Sequence, residues 1–168
     1  MEKKDLLKDV IKHIDIKSYN STELVDAMRN MSFTSRDTAR AADILMMMCK
    51  EKECTNILTL AGSTSAAGCM QVYVDMVRNK MIDVVVATGA SIIDMDLFEA
   101  LGYKHYIGEK ENVIPDTTLR ELYIDRIYDT YIDEEELQAC DHSTYELANM
   151  LEPRPYSSRE FIYEIGKW

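Results

Sequence analysis

The sequence has little that would support a disulfide framework, a metal centre or a membrane anchor. Its four cysteines form no Cys-x-x-Cys pair and lie beside no histidine cluster, so we expect reduced thiols and no metal. No apolar run reaches the roughly 18 residues that a membrane-spanning helix needs. The amino-terminal stretch MEKKDLLKDVIKHID is too charged for a secretory signal. We therefore expect a cytoplasmic protein that does not associate with membranes.

The chain is also short of positive charge. It has 19 lysines and arginines against 30 aspartates and glutamates, which gives a net charge of −11 at pH 7. Nucleic acids and anionic membranes both require a basic surface, so neither is an expected partner. The negative charge would suit a cationic substrate, or it could serve only to keep the protein soluble. The length of 168 residues and the hydrophobic content of 46% indicate one soluble domain with a core.

Hydrophobic periodicity divides the chain into three regions. They are a helical amino-terminal region, a βαβ core and a helical segment, over residues 1–53, 54–110 and 111–168. In the first region, apolar residues at helical spacing predict helices over residues 6–14, 22–28 and 34–52. The whole pattern is typical of an α/β protein.

The middle region predicts two buried parallel strands joined by a helix. The strands cover residues 55–60 and 82–87, and the helix covers residues 66–80. A short helix over 94–101 and a third strand over 103–107 follow. In the last region we expect helical pieces with a bend near Tyr128 and Asp129, then helices that begin after Asp133 and Ser157.

Turns of small and hydroxyl-bearing residues follow the two predicted strands. They cover Gly62–Gly68 and Ala87–Ser91, and ligands of parallel sheets bind outside the carboxyl ends of strands. Bare backbone N–H groups at a helix start favour phosphate, which suggests a nucleotide. Neither turn has the Gly-x-Gly-x-x-Gly or the Walker pattern, so a tight turn without a ligand stays an alternative. Asp94 and Asp96 lie just beyond, where they could bind a cationic amine or, for Asp94, cap a helix.

Five stretches of the chain together resemble the deoxyhypusine synthase family, which includes homospermidine synthase-like relatives. The order and spacing of these stretches match over nearly the whole chain, and the second and third are the most specific. They are SFTSRDTARAADIL, LTLAGSTSAAG, MIDVVVATGASIIDMDLFEALGYKHYIG, ELYIDRIYDTYIDEEEL and PRPYSSREFIYEIGKW.

The resemblance implies a Rossmann-like three-layer fold with a mostly parallel sheet and a helical amino-terminal extension. Members bind NAD, oxidise spermidine transiently and pass its aminobutyl group through an enzyme lysine imine to a target amine. The target is a lysine of the translation initiation factor 5A precursor in deoxyhypusine synthase and a small diamine in homospermidine synthase-like relatives. Members are typically homotetramers whose active sites are shared between subunits.

The resemblance also assigns site residues by position. Two turns correspond to segments that contact NAD, and they supply Gly62, Ser63, Thr64, Ser65, Thr88, Gly89, Ala90 and Ser91. Asp94 and Asp96 fall where the family places acidic residues near NAD and the polyamine. Many members have two adjacent acids there, whereas Met95 separates the two acids of this chain.

The chain stops at Trp168, whereas family members continue for about as long again. The remainder carries the nucleophilic lysine, so no catalytic residue is assigned here. We expect a partial domain, the amino-terminal half of such an enzyme, which is inactive until a chain with the carboxyl-terminal half joins it. The alternatives are a non-catalytic subunit that regulates a full-length paralogue and a nucleotide-binding module without a link to polyamines.

Overall fold

The computed structural model describes residues 1–108 and 113–168 of the chain. The predicted boundary between residues 110 and 111 lies outside the described residues. The helices α1 to α9 are Lys3–Leu6, Thr22–Met28, Phe33–Lys50, Met70–Arg78, Gly89–Ser91, Phe98–Ala100, Asp116–Glu121, Glu134–Met150 and Ser158–Lys167. The strands β1 to β5 are Ile57–Thr59, Val84–Val86, His105–Ile107, Ile124–Ile127 and Thr130–Asp133. A 3₁₀ turn covers Ile16–Ser18, and π-helical turns cover Ser65–Cys69 and Ile92–Leu97.

The amino-terminal region follows the prediction in its second and third helices and departs from it in the first. The helix predicted over residues 6–14 is wrong, because helical structure ends at Leu6. Beyond it, the backbone N–H of Ile11 donates to His105 at 2.8 Å, and Val10 forms a β-bridge with Tyr106. Pairing with a strand edge therefore outweighs the helical periodicity of this segment.

The predicted βαβ unit is present, and the α/β fold class is confirmed. Strands β1 and β2 are parallel, in a register that pairs Ile57 with Val84 and Thr59 with Val86. The expectation that both strands are buried on both faces is wrong, because Val86 is 54% exposed and all three β2 valines are open. The parallel sheet has only two strands in the described part of the chain, so its apolar side chains remain uncovered.

The last region corrects the expectation of an all-helical segment. Tyr128 and Asp129 join two antiparallel strands, β4 and β5, and β5 lies at the centre of the order β3-β5-β4. Successive side chains of a strand point to opposite faces, so neighbouring residues of β5 enter different clusters. Tyr131 packs with Leu119 and Ile124, whereas Ile132 packs on the other face of the sheet.

The larger core lies between helix residues 89–100, β5, α8 and α9. It contains Leu97, Phe98, Ile132, Cys140, Leu147 and Ile165. Both carboxyl-terminal helices begin where the capping residues predict: Asp133 accepts from two first-turn N–H groups, and Ser157 forms a capping box with Glu160. No helix in the described ranges has both the length and the apolar character required to cross a bilayer.

Candidate functional site

The two small-residue turns lie at the same edge of the parallel sheet. Because β1 and β2 are parallel and in register, the chain leaves both strands at the same end. Ser63 of the first turn and Ala90 of the second line one cavity of about 310 Å³. Both turns therefore border the same cavity.

The first turn does not lead straight into an α-helix. Ser65–Cys69 is π-helical, and the turn ends at Gly68 with φ +95°, so α4 begins only at Met70. Gly62 also has a positive φ, +75°, and a side chain added there would meet open space. The free space at Gly62 lets a ligand approach the backbone closely, as the small residues predict.

The second turn is itself the start of a helix. The helix predicted from Asp94 begins earlier, at Gly89, with Thr88 as its N-cap residue. Gly89 is exposed and has free space around its α-carbon, and Ala90 is exposed beside it. The first N–H groups of a helix have no intrahelical acceptor, so this turn offers donors to an anionic or hydroxyl-bearing ligand.

Two serines of the predicted site are buried behind the turns. Ser65 and Ser91 are each only 3% exposed. By contrast, Ser63 is half-buried, and Thr64 and Thr88 are exposed. The Ser65 hydroxyl is hydrogen-bonded to the carboxylate of Asp96. Ser65 therefore supports the first turn from behind, and the more open residues form its outer surface.

Asp94 and Asp96 face different surroundings. They are two residues apart on a helical turn, so their side chains point to opposite sides of it. Asp94 lines the cavity with Ser63 and Ala90, and it lies inside the helix, so its interpretation as an N-cap is wrong. Burial and the nearby charge of Asp141 raise the pKa of Asp94. Burial likewise raises the pKa of Asp96, one oxygen of which is buried without a partner.

Strand β4 supplies two residues of the cavity that the sequence analysis missed. Asp125 and Arg126 line it together with Asp94. Burial, a hydrogen bond to Glu134 and the charge of Glu134 raise the pKa of Asp125 to about 6. Recognition of the hairpin at Tyr128 would have placed both residues on a strand, but not beside Asp94.

A buried cluster of ionisable residues lies behind the first turn. His13 Nε2 is 2.5 Å from Glu99 Oε2, and His105 Nδ1 is 2.6 Å from Glu99 Oε1. Burial acts to raise the pKa of Glu99, but the hydrogen bonds from both histidines outweigh it and lower the pKa. No pattern in the sequence indicates this cluster, because 86 residues separate His13 from Glu99.

The geometry suits an elongated polar ligand better than a metal ion. Within the described ranges, no three His, Cys, Asp or Glu side chains are grouped to hold a metal. The open space beside Gly62 and Gly89 leaves room for polar or anionic groups of a ligand to reach the backbone N–H groups. The carboxylates of Asp94 and Asp125 can bind a cationic group in the adjoining cavity.

The fold and site define an α/β protein with a cavity beside the turns that follow its two parallel strands. The chain belongs to the deoxyhypusine synthase family, because the family model described as deoxyhypusine synthase matches residues 23–168. It is 64% identical over 167 residues to a deoxyhypusine synthase-like protein of Caulobacter vibrioides, covering 99% of this chain and 45% of that protein.

Two further relatives show the same relation. A deoxyhypusine synthase-like protein of Coxiella burnetii (strain RSA 493 / Nine Mile phase I) is 58% identical over 166 residues, which cover 99% of this chain and 47% of the relative. A probable deoxyhypusine synthase 2 of Methanosarcina acetivorans is 38% identical over 154 residues, which cover 92% of this chain and 44% of the relative. The chain thus spans about half the length of the curated relatives it matches.

Proposed function

We propose that this chain forms one wall of the NAD and amine site of a deoxyhypusine synthase-type aminobutyl transferase. The enzyme would move the aminobutyl group of spermidine to a lysine of the translation initiation factor 5A precursor in the cytoplasm. The supporting observation is that both small-residue turns and Asp94 meet at one cavity of about 310 Å³. Membership of the deoxyhypusine synthase family favours this chemistry over other uses of such a cavity.

The proposed roles of the turns follow from their exposure. Backbone N–H groups at Gly62–Thr64 and at Gly89 and Ala90 bind the phosphates, and the hydroxyls of Ser63 and Thr88 bind polar groups of the cofactor. Ser65 and Ser91 support these turns from the buried side. NAD, when bound, accepts a hydride from the carbon beside the amine.

The proposed role of the carboxylates is to hold the amine. Asp94 and Asp125 line the cavity, and burial raises the pKa of both, so each favours a nearby cation over leaving its charge unpaired. Arg126 lines the same cavity and limits the number of ammonium groups that fit there. The overall charge of −11 also attracts a polycation.

Catalysis requires more than this chain under the proposal. The nucleophilic lysine belongs to the half of the relatives that the chain does not span, so the chain alone is inactive and works in a homo- or hetero-oligomer. Two alternatives keep the same site: transfer to a small diamine, and a non-catalytic subunit that regulates a full-length paralogue.

The experiment that tests the proposal is co-expression of the chain with a polypeptide carrying the other half of the Caulobacter vibrioides relative. NAD-dependent release of 1,3-diaminopropane from spermidine is then measured for the pair and for each chain alone. Release by the pair only supports a divided aminobutyl transferase, and adding the factor 5A precursor or putrescine identifies the acceptor. Absence of release from a folded, assembled pair contradicts the proposal.

Gly89→Val tests the second turn directly. A branched side chain there would meet no atom of the chain, because the space around Gly89 is open. It would instead fill the space through which the cofactor is proposed to reach the backbone. We expect the affinity of the assembled pair for NAD to fall at least about tenfold, measured by calorimetry. Gly166→Val is the matched control, because Gly166 also has open space around it but lies in α9. Equal NAD affinity in Gly89→Val and the unaltered pair would remove this turn from the site.

A further inference from the structure

Residues 9–17, here named the amino-terminal strap, run from the antiparallel sheet past the first turn and end in the 3₁₀ turn Ile16–Ser18. At one end, the Ile107 N–H donates to the carbonyl of Asp9 at 2.7 Å. Further along, the Ile14 N–H donates to the carbonyl of Gly68 at 3.1 Å. At the far end, Lys17 Nζ lies 2.8 Å from a carboxylate oxygen of Asp75 on α4. The strap therefore connects β3, the first turn and α4.

The strap lies directly on the end of the first turn. A side chain added at Gly68 would come within 3.0 Å of the Lys12 carbonyl oxygen and 3.7 Å of the Ile11 side chain. Gly68 also has φ +95°, a conformation that other L-residues rarely adopt. The glycine thus permits both the fold of the turn and its close contact with the strap.

Side chains fasten the strap to the helix that follows the second turn. His13 of the strap and His105 of β3 each bond a different oxygen of Glu99, at 2.5 and 2.6 Å. His105 is fully buried, and the Glu99 side chain is 8% exposed. On the same helix, Asp96 is hydrogen-bonded to Ser65 of the first turn and feels the charges of Glu99 and His13. We name His13, Glu99 and His105 the Glu99 clasp.

We propose that the Glu99 clasp is a positioning device that holds the strap against Gly68 and thereby fixes the conformation of the first turn. The description of that turn as a cofactor turn rests on the function proposed above, whereas the mechanical coupling does not. The clasp joins the two turns, because Glu99 and Asp96 lie on the helix that begins at Gly89. His13, Glu99 and His105 would act through the turn without touching a ligand.

A buried carboxylate that loses a hydrogen-bond donor destabilises the structure around it. If His13 loses its ring, one oxygen of Glu99 keeps its burial but loses its hydrogen-bond donor, which costs more than a neutral bond would. The strap then keeps its backbone pairing with β3 at residues 9–11, the backbone bond from Ile14 and the ion pair of Lys17 with the buried Asp75. Between its two ends, the strap is then tied to the first turn by the Ile14 bond, so the stretch beside Gly68 should open locally.

The strap lies outside the part of the chain that the family model matches. That match covers residues 23–168, whereas the strap ends at residue 17. The deoxyhypusine synthase-like relatives of Caulobacter vibrioides and Coxiella burnetii align with 99% of this chain, a span long enough to include nearly all of the strap. Of the clasp residues, His13 lies outside the matched range, whereas Glu99 and His105 lie within it.

Hydrogen exchange of the full chain, without nucleotide, tests the coupling. The reporters are the amides of Ile14, Ala67 and Cys69, which donate to Gly68, Ser63 and Thr64. We expect His13→Ala to speed their exchange at least about tenfold, because local opening becomes easier. His13→Gln should restore most of the protection, since its amide nitrogen can take the place of Nε2. His142→Ala is the control, because His142 forms an exposed pair with Glu146 at 3.4 Å.

The assembled enzyme gives a second readout. With His13→Ala we expect the KM for NAD to rise at least about fivefold while kcat stays within about twofold, the signature of lost positioning in binding. If no assembled form binds NAD, the proposed function fails, but the exchange rates still decide whether the clasp holds the turn. Unchanged exchange of Ala67 and Cys69 in folded His13→Ala would overturn the inference.

Gly68→Ala keeps the inference testable if His13→Ala does not fold. The added methyl group would push against the Lys12 carbonyl, so the strap and the turn should become less protected together. Gly166→Ala is its control, since Gly166 has open surroundings within α9. Protection of Ile14 that survives in Gly68→Ala, while Ala67 exchanges faster, would show that the strap and turn are independent and would overturn the proposal.

Discussion

Asp125 shows how the environment of one residue can make stability depend on pH. Folding raises its pKa from 3.8 to about 6, so between these values the folded chain keeps a proton that the unfolded chain has released. Stability therefore falls as the pH rises through this window. Asp125→Asn cannot ionise, and we expect it to exceed the unaltered chain in stability at about pH 7 and to match it at about pH 4. Asp125 is only partly desolvated and stays open to solvent, so screening limits the gain to about 1 kcal/mol.

Denaturant unfolding at both pH values measures this difference. Asp37→Asn serves as the control, because Asp37 is an exposed carboxylate on α3. Equal gains in the two variants would mean that the effect comes from the net charge of the chain. A loss of stability in Asp125→Asn at about pH 7 would contradict the raised pKa and would favour an ionised Asp125 that is paired in the fold.

The residues of the candidate site were partly predictable at this scale. The small residues after β1 and β2 are legible in the sequence, because glycine, serine and threonine in such places have a clear physical meaning. The different surroundings of Asp94 and Asp96 were not predictable, because they depend on a helix that begins at Gly89, before the predicted start. Asp125 was missed because tertiary packing brings it to the cavity that Asp94 lines.

At the scale of elements, the helix starts can be tested by comparing two caps. Asp133 accepts from the N–H groups of Glu135 and Glu136 and bonds Lys3 at 2.6 Å. Ser32 precedes α3 but makes no side-chain cap bond. We expect Asp133→Ala to lower the free energy of unfolding by about 1–2 kcal/mol and Ser32→Ala to leave it nearly unchanged. Thermal unfolding of both variants measures this, and equal losses would show that the side-chain bonds of Asp133 contribute nothing to stability.

Sequence rules predict the elements whose conformation depends on neighbouring residues, and they fail where distant contacts decide the conformation. Helices α2 and α3 were predicted from periodicity, and α8 and α9 also have a capping residue that marks their start. The hairpin β4–β5 was predicted as helical because its acidic and tyrosine-rich sequence has no Asn-Gly or Asp-Gly turn. Burial of Tyr131 and Ile132 on opposite faces decides its conformation, and both faces are covered by distant parts of the chain.

At the scale of the whole molecule, the parallel sheet is the least complete part. Parallel sheets are normally covered on both faces, yet the β2 valines are exposed and an apolar groove of about 680 Å³ runs beside them. Leu60, Val74, Val77 and Ile162 are among the residues that line it. The sequence predicted buried strands because valine runs belong in sheet interiors, and that inference holds only where covering layers exist.

We propose that this surface is covered in the functional assembly, and the isolated chain should reveal the need for cover. An open apolar face and free strand edges promote association, so sedimentation should show concentration-dependent oligomers of the chain. Val86→Asp places a charge on the exposed face and should reduce that association without a large loss of stability, because Val86 is 54% exposed. The matched control is Val113→Asp, at a valine that is 59% exposed outside the sheet.

Binding to the other half of the Caulobacter vibrioides relative tests the same surface. When each variant is co-expressed with that half, we expect Val86→Asp to lose the partner and Val113→Asp to keep it. A monomer at all concentrations, with Val86→Asp still bound to that partner, would place the assembly surface elsewhere on the chain.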